Sequence, residues 1–154
     1  MSQIGEFATS GFVFKDTVQV ASLEDPDIDN VVLYITDYKR SITERLSNDP
    51  LGDPSQASLT CVSLGGGRIR PGSNLGGKEG KEIFAERKTL NLFQNKTLRV
   101  RRMVDTKANN IIYIAYSTRL TSSVDEGGVS TSRYRTSICA VPLESSSSPP
   151  PLLQ

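Results

Sequence analysis

Apolar residues along this chain recur at every second position, in short runs broken by glycine, proline, asparagine and aspartate. Period-two alternation marks a strand with one buried face, and the residues that interrupt it are those that turn a chain. Strands are predicted at GFVFK, TVQVASL, NVVLYIT, SLTCVSL, EIFAERKTLNLF, TLRVRRMVD, NIIYIAYSTRL and YRTSICAVPL. VVLYI and IIYIAY are apolar on both faces, which makes them central or sandwiched strands. The pattern predicts a mainly β fold, an antiparallel β-sandwich or a partly open barrel. Alternation does not encode strand order, so the choice between the two stays open.

One segment has a different period. In DYKRSITERLS, Tyr38, Ile42 and Leu46 recur at four-residue spacing behind Asp37, a residue suited to capping, and predict one short helix. NDPLGDPSQ reads as a connector and DTKANN as a hairpin loop. The tail ESSSSPPPLLQ offers little burial against the entropy of ordering, so 144–154 is expected to be disordered behind a single β domain over 1–143. A chain of 154 residues suits one domain burying roughly two-thirds of its unfolded surface.

Composition narrows the chemistry. Eighteen basic and 17 acidic side chains leave a formal charge of +1, so no global field draws nucleic acid or an acidic membrane. The chain has no histidine, which excludes a Ser-His-Asp triad, a Cys-His dyad and an ordinary zinc site. Cys61 and Cys139 are the two cysteines, enough for one disulfide or for two buried thiols. No apolar run approaches the roughly 18 residues of a membrane span, and MSQIGEFATSGFVF lacks the basic and apolar regions of a secretory signal.

Several stretches invite a functional reading. Asp25, Asp27 and Asp29 occupy the first, third and fifth places of a calcium loop, but Asn30 and Thr36 stand where glycine and a bidentate glutamate belong. A turn preset by Pro26, with aspartates bonding nearby amides, accounts for them better. GSNLGGKE resembles part of a phosphate-binding loop, but Glu79 replaces the magnesium-binding hydroxyl and a strand follows instead of a helix. In TLRVRRMVD, alternation sets Arg102 on the apolar face with Leu98, Val100 and Val104. A guanidinium there requires a carboxylate or carbonyls, with Asp25, Asp105 and Glu86 the partners to consider, unless a bulge turns it outward or it recognises an anion at one end of the fold. Lys96, Arg99 and Arg101 with Phe93 sketch a basic, aromatic nucleic-acid platform, against which the interleaved acids argue. Tyr113 and Tyr116 fall on opposite faces of one strand, where packing is the default role.

These segments together resemble the CreA family, small proteins of unknown molecular function known as exported bacterial proteins and present in photosynthetic eukaryotes. The resemblance runs from about Phe14 to Pro142 and is carried by VQVASLEDPDIDNVVLYIT, SLTCVSLGG, LRVRRMVDTKANNIIYIAYS and SICAVP. It carries over Asp25, Pro26, Arg102, Asp105, Asn109, Tyr113, Tyr116 and Ser117 and implies no catalytic residue. Bacterial members have a cysteine where Leu33 stands, and Cys61 matches the second cysteine of their pair. Cys139 replaces a small residue and could bridge to Cys61 only if their strands are adjacent.

The resemblance implies a β-rich, soluble accessory or binding protein acting through a protein partner or a small-anion site formed by Arg102, Asp105 and Asp25. No cofactor and no metal site is expected, and nucleic acid is not the expected partner. The rival readings are a carboxylate-dependent enzyme such as a glycosidase, with Asp25 and Asp105 converging in one cleft, and an RNA-binding β module. The Ser/Pro tail and the divergence at Leu33 imply a chloroplast location, with a transit peptide ahead of Met1 or already trimmed, and a periplasm-like exported compartment as the alternative.

Overall fold

The computed structural model describes residues 1–9, 17–39, 57–85, 96–119 and 136–144. Its strands are β1 (Ser2–Ala8), β2 (Thr17–Glu24), β3 (Ile28–Lys39), β4 (Ser58–Ile69), β5 (Lys81–Ala85), β6 (Lys96–Asp105), β7 (Asn110–Arg119) and β8 (Ser137–Pro142). They form two four-stranded sheets, ordered β1-β2-β3-β4 and β5-β6-β7-β8. Every pairing between neighbouring strands is antiparallel. The outer strands β1 and β5 do not pair with each other, so the sheets form a sandwich and no closed barrel.

Alternation explains the layers. Val31, Leu33 and Ile35 of β3 are buried, as are Leu98 and Val100 of β6 and Ile111, Tyr113 and Ala115 of β7. They meet in one cluster with Leu23, Ile28, Leu59 and Val141, drawing on both sheets. Burying side chains of this size is worth roughly 1.5–3 kcal/mol each, which makes the shared interior the main source of cohesion.

The sheets are joined along one side, where β4 meets β8. Gly67 forms a parallel bridge with Leu143, and the amide of Glu144 donates to the Gly67 carbonyl at 2.9 Å. A side chain at Gly66 would meet the backbone of Leu143 and Glu144, so glycine there permits the close approach. Further along, Ser137 Oγ accepts from the Leu59 amide at 3.0 Å. Cys61 and Cys139 form a disulfide across the same seam, with Cα atoms 5.8 Å apart. The condition of adjacent strands is therefore met, and Cys139 supplies a partner for Cys61 where Leu33 cannot.

Two elements differ from the sequence expectation. β3 continues to Lys39, so the positions expected to open a helix, Asp37 to Lys39, pair instead with β2 residues Gln19 to Thr17. Cross-strand pairing overrides the four-residue spacing there; the rest of the expected helix lies outside the described residues. β1 was not foreseen, because Gly5 and a register shift between Gln3 and Gly5 interrupt its alternation. The strand expected at GFVFK, the continuation of β5 beyond Ala85 and the tail after Glu144 also lie outside the described residues. Among the described residues the helical structure is a single 3-10 turn, Gly77–Glu79, and no helix is long and apolar enough to cross a membrane.

Candidate functional site

The turn between β2 and β3 carries Asp25, Pro26 and Asp27 to the end of the sandwich, above β6 and β7. Asp25 Oδ1 accepts from the Asp27 amide at 2.8 Å, so the first aspartate holds the turn in shape. The same oxygen accepts from Arg102 Nη1 at 2.6 Å, and Asp25 Oδ2 accepts from the Tyr113 hydroxyl at 2.9 Å. Arg102 and Tyr113 are cross-strand partners on β6 and β7, which places both beneath the turn. Arg102 is 0% exposed and Asp25 1%.

Asp27 extends the cluster. Its Oδ2 accepts from Arg102 Nη2 at 3.0 Å and from Lys81 Nζ at 2.7 Å. The Lys81 hydrogen bond is the main influence holding the Asp27 carboxyl below its ordinary range; burial opposes it, and Arg102 adds to it. Burial, then the Asp25 carboxylate, pushes the Tyr113 hydroxyl well above its usual value, so it acts as a donor throughout the physiological range.

The glycine-rich loop completes the enclosure. Arg102 Nη2 also donates to the Asn74 carbonyl at 3.0 Å, and Arg101 Nη1 donates to the Glu79 carbonyl at 2.9 Å. Gly80 sits at φ 68° directly over the Arg102 carbonyl, where a Cβ would collide. The stretch that resembled a phosphate loop thus seals a buried arginine with its backbone. Arg102 Nε is buried and has no hydrogen-bond partner among the described residues.

The sequence candidates divide accordingly. Asp25 and Arg102 come together; Asp105 does not join them, because its Oδ1 accepts from the amides of Lys107 and Ala108 and shapes the β6–β7 turn. Asp25 and Asp105 therefore do not form the paired acids of one cleft. Glu86 and Phe93 lie outside the described residues. On the outer face of β6, Arg99 Nη1 bonds Glu82 at 2.8 Å, and Tyr116 donates to the same carboxylate at 3.2 Å. Arg99 first, then burial in opposition, sets the Glu82 carboxyl below its usual range. That engages Arg99, one of the three basic residues named for the nucleic-acid alternative. Asp27, Lys81 and Asn74 were missed: Asp27 and Asn74 reach Arg102 from loops and Lys81 reaches Asp27 from β5, relations that no local pattern records.

A second region lies on the outer face of the first sheet. Glu24, Val32 and Val62 stand side by side across β2, β3 and β4, with Tyr34 opposite Thr60 in the next outward-facing row. Tyr34 is 37% exposed, Val62 46% and Leu64 83%. With Arg70 they line an open depression of about 370 Å³. Arg70 is fixed at its rim by Asp29 Oδ1 at 2.7 Å and the Pro26 carbonyl at 2.8 Å. Asp29 is the chief cause of a raised Arg70 pKa.

A family model described as CreA protein matches residues 4–146. The chain belongs to the CreA family. Protein CreA of Escherichia coli strain K12 is 29% identical over 116 residues, covering 73% of this chain and 69% of the relative. The CreA proteins of Escherichia coli O6:H1 and O157:H7 match to the same extent. No solved structure matches the chain. Within a CreA chain, then, the Asp25-Pro26 turn and Arg102 meet as parts of one buried cluster.

Proposed function

We propose that this CreA-family chain is a non-enzymatic accessory protein that binds a protein partner through the outer face of β2, β3 and β4. The observation that carries this reading is the open apolar surface of Val32, Tyr34, Val62 and Leu64, set in a depression on the outer face of the sheet. Aromatic and aliphatic side chains gathered at the centre of a polar rim are the usual composition of a binding face.

The small-anion alternative has less support. Both terminal nitrogens of Arg102 already face Asp25, Asp27 and the Asn74 carbonyl, so an anion would have to displace a carboxylate from a buried pair. The disulfide supports residence in an oxidising compartment, which suits an exported or organelle-lumen setting; the chloroplast location belongs to this proposal.

The test uses the tagged chain and the double variant Val62→Asp/Leu64→Asp, each purified from its native compartment under non-reducing conditions. A partner recovered with the parent chain and lost with the variant, at unchanged melting temperature, is the expected result. Equal recovery of every co-purifying protein overturns the reading.

A further inference from the structure

We infer that the depression on β2, β3 and β4 takes a lysine or arginine presented beside an aliphatic residue of an extended partner segment. This deepens the binding reading above and rests on it. Three carboxylates, Glu24, Asp25 and Asp29, line the depression against one guanidinium, Arg70. Two are already engaged: Asp25 faces inward to Arg102, and Asp29 holds Arg70 and, at 3.7 Å, Arg68.

Glu24 is different. It is exposed at the end of β2, and its carboxylate has no ion pair or hydrogen bond among the described residues. It stands beside Val32, with Val62 beyond, so an unused negative charge lies next to an apolar floor. Exposed Tyr34 adds an aromatic ring, a surface that a cation favours. A basic side chain with an apolar stem satisfies all three features, because its methylenes cover Val32 and Val62 while its head reaches Glu24.

The shape points to a segment of chain. Small-molecule sites enclose most of their ligand, but this depression is open and its lining includes Leu64, which is 83% exposed. An aliphatic neighbour of the basic residue fits that apolar extension. Arg70 is already held by Asp29, which Arg68 shares, so the carboxylate at this face that stands apart from that pairing is Glu24.

The experiment titrates the 15N-labelled chain with acetyl-Ala-Leu-Lys-Val-Ala-amide and with the same peptide carrying glutamate for lysine. The lysine peptide is expected to shift the amides of Glu24, Val32, Tyr34 and Val62 saturably, and the glutamate peptide to leave them in place. Glu24→Gln should weaken the lysine peptide about three- to fivefold, the range of an exposed charge pair.

Absence of shifts with the lysine peptide, equal shifts with both peptides, or an unchanged affinity for Glu24→Gln overturns the charge assignment. Shifts that appear on concentrating the chain alone mean that a second copy occupies the face, and overturn it too. Loss of the native partner in the Val62→Asp/Leu64→Asp variant would still stand in each case, so failure here is distinguishable from failure of the binding reading.

Discussion

Glu24 and Asp25 are consecutive residues with opposite fates. Asp25 turns into the sandwich, where Arg102, Tyr113 and a backbone amide engage both of its oxygens. Glu24 stays on the outer face, its carboxylate without a partner among the described residues, beside apolar surface. The inner charge is committed to holding the β2–β3 turn onto the second sheet, and the outer one is the charge to which the proposed binding face assigns a partner. Ionisable residues within a few ångströms of one another thus divide into scaffold and candidate site according to whether their partners lie inside the chain.

The largest expected effect comes from halving the inner pair. Arg102→Met leaves Asp25 buried without its cation and should lower unfolding free energy by about 3–5 kcal/mol, read by urea denaturation. The double variant Arg102→Met/Asp25→Leu removes both charges and should recover most of that loss. If the single variant were as stable as the parent, the cluster could not be a clamp.

Removing the covalent seam comes next. Cys61 and Cys139 are separated by 78 positions, and opening a loop of that length should cost roughly 2–4 kcal/mol. Cys139→Ser, or reduction of the parent chain, is expected to lower the denaturant midpoint accordingly. An unchanged midpoint would transfer the joining of the sheets entirely to the Gly67–Leu143 contact and the shared core.

A smaller effect should follow pH. The Asp27 carboxyl, held low first by Lys81 and then by Arg102, binds its proton less readily in the folded chain than in the unfolded one. Its contribution to stability is therefore full above about pH 5 and lost as pH falls through the lowered folded pKa. Glu82 acts in the same direction through Arg99. Melting temperatures between about pH 6 and pH 2 should fall on acidification, and Asp27→Asn should flatten part of that decline. An identical slope in the variant would remove Asp27 from the acid-sensitive set.

Much of the scaffold was legible because burial on one side of a strand leaves a period-two trace. That trace set Arg102 on the inward face, where the structure holds it, and electrostatics then required a partner. Asp25 was among the partners named, but Asp27 reaches Lys81 across 54 positions, and the Asn74 carbonyl reaches Arg102 across 28. Loop backbones and distant side chains meet only after folding, so neither contact leaves a local pattern. Asp37 to Lys39 failed for a related reason: helical spacing is a property of the segment, while its strand conformation depends on pairing with β2. The outer face was hidden by its own regularity, since Val32 and Tyr34 made β3 read as apolar on both sides, which burial and binding explain equally well.

The smallest effect on stability should accompany the largest on binding. Tyr34, Val62 and Leu64 are open to solvent, so Val62→Asp/Leu64→Asp should change unfolding free energy by no more than about 0.5 kcal/mol per site. An aspartate at Val62 would place a second carboxylate near Glu24 and wet the floor between them. Recovery of the native partner should then collapse while the denaturation curve scarcely moves. A variant that unfolded as readily as Arg102→Met would show that this face is covered by its own chain, and the division between committed and available charge would fail at Glu24.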